Sequence, residues 1–456
     1  MYAFKSLVVN IKNADVKSII LFKNVVLSFL IRGAAIIVSL FTLPAYMNFF
    51  SDQTILGIWF TAISVLSWIL TFDLGIGNGL RNYLVEPFMK NDTEEIKKNI
   101  SSAYILVGLL VIFLSIISMI IIPLLNWNLV FNIPKDKISP DVLQFMTTML
   151  ILGILLQFWL KLITSIFYAL QKAAMPSFLL LCSSFLMLLF TLYSKTDNII
   201  YNIKSLSIAY ALTANIPYLI ATLFLFSTLL KKCKPNIYYF KKSYAKRIIK
   251  LGGNFFYLQI LTMIMFSTNE FFISWLVNPK EVVTYQIYNK LFSILSTFFN
   301  LALTPVWSAV TEARIKNDYL WVKRLYHKLN LMLLILVLFE IILIILMPNI
   351  LNFWLGNNAI EVNSLYCFLF ALYNILFIKV GIDTNIIAGL GKLKVQTYAL
   401  TITTLLKVGL SILLINITGS WITLIIANNI ALIPYIVIEF FDIRHRFKLF
   451  NKDDIK

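Results

Sequence analysis

Arg32, Lys161, Glu270, Lys290, Glu340, Lys379, Asp383 and Lys407 are charged side chains set inside long apolar runs, and Asp73 stands at the edge of another. A charge in such surroundings is costly, so it faces a protein interior or a water-filled cavity, where it pairs, relays protons or marks a substrate path. The bases Arg32, Lys161, Lys290, Lys379 and Lys407 outnumber the deep acids Glu270, Glu340 and Asp383, a surplus that suits an anionic passenger. Lys379 and Asp383 are four residues apart and share a helix face, so a plain ion pair explains them equally well. For any single residue, pairing or snorkelling is as good a reading as contact with a substrate. The set argues more strongly than its members.

Asn289, Ser293, Ser296, Asn300 and Thr304 recur at helical spacing and fall on one face. Such a stripe lines a wet lumen or bonds helix to helix. Thr61, Ser64, Ser67 and Thr71 form a shorter version. The next stretch, Phe72 to Asn82, carries Asp73, Gly75, Gly77, Gly79 and Arg81 within nine residues, and its glycines let the backbone turn sharply. The alternating glycines do not make a dinucleotide loop, which needs a strand before it, whereas an apolar helix precedes this one. Cys182, Cys233 and Cys367 show neither metal nor disulfide spacing and read as structural. His327 and His445 fall in basic segments. No Walker loop, zincin motif or Ser/His/Asp grouping occurs, and neither a cofactor nor a metal is expected.

The elements that must position these groups are membrane helices. The chain is 60% hydrophobic and 13% charged over 456 residues, with a mean hydropathy of +0.85, which specifies an all-α polytopic membrane protein. Twelve transmembrane helices are expected, at 24–45, 54–75, 101–124, 142–168, 176–194 and 206–230, then 251–277, 284–308, 329–349, 364–388, 397–417 and 421–441. They divide into an N-lobe at 24–230 and a C-lobe at 251–441, two six-helix lobes around a central cavity. A cytoplasmic segment at 1–23, a basic linker at 231–250 and a cytoplasmic tail at 442–456 complete the chain. The net charge of +18 arises mainly in alternate loops, which places both termini in the cytoplasm and explains the charge without nucleic acid. The linker, with Lys231, Lys232, Lys241 and Lys242 among its bases, reads as a topological anchor that attracts anionic membrane lipids. Faint parallels between the halves, such as Phe167 to Lys172 against Ile387 to Lys392, suggest same-way repeats that set Lys161 and Lys379 at similar depth.

Leu56-Gly57-Ile58-Trp59-Phe60-Thr61, Ser67-Trp68-Ile69-Leu70, Phe72 through Asn82, and Ser101-Ser102-Ala103-Tyr104 resemble the Wzx-type O-antigen and polysaccharide flippases of the MOP superfamily. The motifs are specific over 51–104, and the likeness elsewhere is topological. The resemblance implies a non-enzymatic flippase in the bacterial cytoplasmic membrane. It would move an undecaprenyl-diphosphate-linked oligosaccharide by alternating access, coupled to an ion or proton gradient, with a polysaccharide polymerase and a chain-length regulator as partners. On that reading Arg32, Lys161, Lys290, Lys379 and Lys407 attract the diphosphate, and Asn289, Ser293, Ser296 and Asn300 line the lumen. Glu270 and Asp383 couple the ion, and Asp73, Gly75, Gly77, Gly79 and Arg81 form a cytoplasmic gate. A MATE-type multidrug antiporter shares the fold but would favour acids over bases in its lumen. A membrane glycan polymerase or ligase would need a long outer loop with clustered catalytic groups. A major-facilitator carrier would show a basic Asp-Arg-x-Gly-Arg loop after its second span, which is missing here.

Overall fold

The computed structural model describes residues 16–50, 52–71, 76–172, 174–356, 360–391 and 394–453, and these are helical throughout with short connections. In chain order the helices are α1 Val16–Phe49, α2 Gln53–Thr71, α3 Ile76–Lys90, α4 Thr93–Ile121, α5 Trp127–Val130, α6 Pro140–Leu160, α7 Leu162–Ala169 and α8 Ala174–Tyr193. There follow α9 Ile199–Ser227, α10 Lys242–Ser267, α11 Asn269–Leu276, α12 Pro279–Ile315, α13 Tyr319–Leu355, α14 Ser364–Leu390, α15 Lys394–Thr418 and α16 Thr423–Asp453. Among the described residues a helix overlaps each expected span, the fourth made of α6 with α7 and the seventh of α10 with α11, and 72–75 of the second span lie outside them. Among the described residues, nine helical stretches are long and apolar enough to cross a membrane by length and composition, and Gln53–Val65 and Tyr257–Ser267 are shorter apolar ones. The chain is therefore a multi-pass membrane protein.

Helix starts follow local chemistry. Asp92 accepts the Glu95 backbone N–H at 3.0 Å, and Asp318 accepts that of Trp321 at 3.0 Å, each filling a donor that the first turn leaves open. Helix faces follow the solvent. Leu109, Ile112, Phe113 and Ile116 of α4 are exposed, as are Leu334, Ile335, Leu338 and Phe339 of α13. In water these would be a liability, but in a bilayer they meet acyl chains.

Two compact units form, and neither is contiguous in sequence: 1–49, 69–128 and 134–257 make the first, and 50–68, 129–133 and 258–456 the second. In the first unit α1 packs on α8, α9 on α6 and α8, α3 on α7, and α4 on α6. Leu80, Leu84, Ile100, Val107, Ile163 and Ile166 are fully buried at its centre. A Cβ at Gly153 would lie 2.7 Å from that of Ala211, so α6 and α9 approach closely. Asn215 Nδ2 donates to the Gly153 carbonyl at 2.8 Å, and Gln157 Nε2 to that of Ala214 at 3.1 Å.

The basic linker is not merely solvated. Its Asn236 backbone N–H donates to Ser101 Oγ at 3.0 Å, and that of Lys241 to Ser102 Oγ at 3.1 Å. Tyr244 donates to Glu95 Oε2 at 2.5 Å, and Lys97 lies 4.7 Å from the centre of the Tyr239 ring. The serine pair of the sequence motif thus straps the linker onto α4.

In the second unit α12 packs on α14, α15 on α16, α14 on α16, and α13 on α14. The second span belongs here: a Cβ at Gly57 of α2 would fall 1.7 Å from the Pro279 carbonyl oxygen at the start of α12. That contact explains the glycine, because no side chain fits against the backbone there.

Candidate functional site

Of the charged residues singled out from the sequence, four form two clusters in the second unit, Lys290 and Glu340 stand apart in that unit, and Arg32 and Lys161 are separate bases in the first. The first cluster surrounds a break in the seventh span. Ser267 ends α10, Asn269 begins α11, and the carbonyls at the end of α10 lack helical partners. Lys407 of α15 supplies them: its Nζ donates to the Ile264 carbonyl at 2.8 Å, the Met265 carbonyl at 3.0 Å and Thr268 Oγ1 at 2.8 Å. A helix C-terminus carries partial negative charge, so a cation belongs there. Lys407 also stands 5.7 Å from the centre of the Phe272 ring and has no exposed surface.

Glu270 follows on the first turn of α11. Its Oε2 lies 3.0 Å from Ser64 Oγ of α2, and its Oε1 accepts from Gln286 Nε2 of α12 at 2.8 Å. Trp68 Nε1 donates to the Ser267 carbonyl at 2.7 Å. Asn269 Nδ2 donates to the Tyr285 hydroxyl at 3.1 Å, while its Oδ1 accepts from Asn428 at 3.3 Å. The break thus gathers α2, α11, α12, α15 and α16 around one carboxylate and one ammonium.

The second cluster is a pair with a tyrosine. Lys379 Nζ donates to Asp383 Oδ1 at 2.6 Å and to the Tyr326 hydroxyl at 2.8 Å, and Tyr326 donates to Asp383 at 3.1 Å. Spacing of four alone made this pair readable, and the structure shows the ordinary ion pair. Tyr326 also walls a cavity of about 390 Å³ that Lys323, His327, Phe440, Arg444 and Phe447 line with it. Glu340 is held by Asn374 Nδ2, a polar link between α13 and α14.

Arg32 of α1 is half-buried in the first unit and donates from Nε to Ser177 Oγ of α8 at 3.1 Å. Lys161 sits exposed in the one-residue gap between α6 and α7. Lys290 and Asn289 are half-buried on α12. Of the stripe below them, Ser296 is buried and Asn300 faces α14, where a Cβ at Gly381 would lie 2.6 Å from its Oδ1. Ser296 Oγ bonds back to the Ser293 carbonyl at 3.0 Å, and Asn300 Nδ2 to that of Ser296 at 2.9 Å. This part of the stripe faces a neighbouring helix, and the Thr304 side chain lies outside the described ones.

Asp73 and Gly75 lie outside the described residues. Gly77 and Gly79 do not turn the chain: both are within α3, whose Leu80 and Leu84 pack on α7. Arg81 lies 5.2 Å from the centre of the Tyr168 ring on α7. Sequence reading missed Glu439 of α16, a fully buried acid only a few residues inside the end of the last apolar run. It also missed Tyr326 and Gln286, polar partners that only the packing brings to the charges. With Glu439 counted, the intramembrane acids number four, and Glu270, Glu340, Asp383 and Glu439 all lie in the second unit. The base surplus narrows overall and is concentrated in the first unit, at Arg32 and Lys161.

No family model matches the chain. It is 23% identical over 348 residues to a Yersinia pseudotuberculosis protein named for O-antigen export, covering 74% of this chain and 76% of that protein. It is 26% identical over 268 residues to a Salmonella typhimurium protein named for O-antigen transport, covering 56% of this chain and 57% of that one. Among solved structures, a MATE-family multidrug-resistance transporter of the MOP superfamily, in an inward-facing conformation, superposes with a TM-score of 0.72 at 14% identity, covering 93% of this chain and 99% of that one. The lipid II flippase MurJ, in an inward closed conformation, gives 0.66 at 16% identity, covering 93% and 87%. The fold is that of the MOP-superfamily transporters.

Proposed function

We propose that this chain, a multi-pass transporter with the MOP-superfamily fold, flips an undecaprenyl-diphosphate-linked oligosaccharide, an O-antigen repeat unit or a similar glycan, across the bacterial cytoplasmic membrane. The observation that carries this reading is the similarity to a protein named for O-antigen export over 74% of the chain. The charge distribution supports it. Arg32, Lys161, Lys290 and Lys379 are the groups that would attract the diphosphate or acidic sugars, because Lys and Arg are the side chains suited to phosphate oxygens. Lys407 is committed to the broken helix, so it takes no part in that contact in this arrangement.

Alternating access is driven by an ion or proton gradient, with Glu270 and Asp383 as the coupling carboxylates. The lipid tail stays in the bilayer while sugar and diphosphate cross through the protein, and a polymerase and a chain-length regulator receive the product. Both termini are cytoplasmic, and Asp73 with Arg81 belongs to the cytoplasmic gate. Deletion of the gene followed by chemical analysis of the lipid-linked intermediates tests the substrate. The expected result is accumulation of a complete repeat unit on the inner leaflet, and unchanged lipid-linked sugars together with drug hypersensitivity would favour a MATE-type exporter instead.

A further inference from the structure

A wedge of space, about 390 Å³, opens between the first turns of α13 and the last turns of α16. Helical spacing builds both of its walls. Lys323, Tyr326 and His327 share one face of α13, and Phe440, Ile443, Arg444 and Phe447 share one face of α16. The floor is apolar: the Tyr326 and Phe447 rings have their centres 6.0 Å apart, and Ile443 is buried beside them. The bases stand nearer the mouth, His327 and Arg444 exposed and Lys323 half-buried. No acid lines the cavity. Among the described residues neither Lys323 nor Arg444 is in an ion pair, and the acids around them are engaged elsewhere or turned away. Asp442 is taken by Arg446 at 2.6 Å, and Asp383, behind Tyr326, by Lys379 at 2.6 Å. Glu439 is fully buried and does not line the cavity.

Lysine, arginine and imidazole converging on one space without a counter-ion form a seat for an anion, and phosphate oxygens suit them best. The position of the cavity says what carries the phosphate. The apolar span of α13 begins at Tyr319 and that of α16 ends at Phe447, so the bases stand where a bilayer has its headgroups. The same helix faces then continue into the apolar layer. Leu331, Leu334 and Leu338 follow His327 at steps of four, three and four, while Phe440, Val437 and Ile433 run back from Arg444 at the same steps. All six are exposed, and in a bilayer they meet acyl chains. A free phosphate would use the bases and leave these stripes unexplained, whereas a phospholipid uses both. Basic pockets between membrane helices are suited to anionic headgroups in this way.

We propose that this wedge seats one anionic glycerophospholipid of the leaflet on the side of the C-terminus. Lys323, His327 and Arg444 hold its phosphate, and its chains lie along α13 and α16. The seat is independent of the transported glycan, and its test reads binding alone. Purified, delipidated full-length protein in an uncharged detergent is unfolded thermally at rising mole fractions of phosphatidylglycerol. Phosphatidylcholine with the same chains, undecaprenyl phosphate and inorganic phosphate are the parallel series. The midpoint is expected to rise with phosphatidylglycerol and to respond less to the other three, because a ligand bound only by the folded state stabilises it. Lys323→Gln with Arg444→Gln should remove most of that rise. Lys231→Gln with Lys232→Gln, which deletes the same charge from the linker, should keep it. Arg444→Gln alone, at an exposed position, should raise severalfold the phosphatidylglycerol fraction needed for a given shift. No rise in wild type, or an equal one with phosphatidylcholine, overturns the proposal. So does an equal or greater rise with undecaprenyl phosphate or inorganic phosphate, the same loss in the linker pair as in the pocket pair, or an undiminished response in Arg444→Gln.

Discussion

Lys407 holds its ammonium against two carbonyls and a hydroxyl at the end of α10 without an exposed atom. Lys407→Met fills the same space but leaves the Met265 carbonyl without the ammonium, while the Ile264 carbonyl keeps the Thr268 hydroxyl at 2.7 Å. A buried polar group left without its partner costs about 1–3 kcal/mol, so a loss of that order in stability is expected, read as a lower thermal midpoint and less inserted protein. Glu270→Gln is a gentler change, since an amide oxygen can still accept from Ser64 or Gln286. If Glu270 couples the ion, Glu270→Gln should reduce gradient-driven flipping severalfold in proteoliposomes while the midpoint moves little. Equal rates for Glu270→Gln and wild type would leave the carboxylate a structural role. Lys379 and Asp383 were readable as a pair from spacing, whereas Tyr326, which bonds them from 53 and 57 residues away, was not. Spacing reports neighbours within one helix and is blind to those that packing supplies.

At the scale of elements, the strongest constraint is the contact of α2 with α12. A Cβ at Gly57 would meet the Pro279 carbonyl, which is rigid backbone and cannot move aside as a side chain can. Gly57→Ala should therefore destabilise the protein by more than an ordinary helix substitution, read as loss of the monodisperse peak in detergent. The strap at 231–241 gives a second expectation. Ser101→Ala with Ser102→Ala removes the acceptors of the Asn236 and Lys241 N–H groups, so limited trypsin should cut this linker faster than in wild type. The helices themselves were legible, because apolar runs of about 20 residues announce spans directly. The breaks at Lys161 and Thr268 were not, since neither residue is a helix breaker and nothing local marks the interruption. The glycines before Arg81 misled in the opposite direction: Gly77 and Gly79 are helical. Grouping of 50–68 with later helices was likewise hidden, because a chain-order division into halves carries no tertiary information.

For the molecule as a whole, the distribution of charge matters more than its sum. The first unit contributes intramembrane bases and the second all four deep acids beside its own bases. Under the flippase reading, anion attraction is shared by Arg32 and Lys161 of the first unit with Lys290 and Lys379 of the second, and coupling falls to the second unit. Lys161→Ala should impair flipping at equal expression, Lys161→Arg should restore part of it, and Lys161→Gln should not. Comparable transport by Lys161→Gln and wild type would show that polarity suffices. Orientation is checked separately in a background lacking Cys182, Cys233 and Cys367. A cysteine at Asn126 should react with an impermeant thiol reagent in intact cells, and one at Asn236 only after permeabilisation. Labelling of Asn236→Cys in intact cells would invert the topology.

The union of Lys407 with Thr268 also dictates an order of events at the ribosome. The two residues are 139 positions apart, so the end of α10 enters the bilayer long before its cation exists. At bacterial translation speeds of about 5–20 residues per second, that interval is roughly 7–28 s. During it the Ile264 carbonyl has only the Thr268 hydroxyl, and the Met265 carbonyl must borrow water, lipid headgroups or an insertion chaperone. Nascent chains halted before α15 should then be degraded faster than chains halted just beyond it, a difference that pulse-chase measurement of stalled intermediates would register as a step in half-life at the emergence of Lys407.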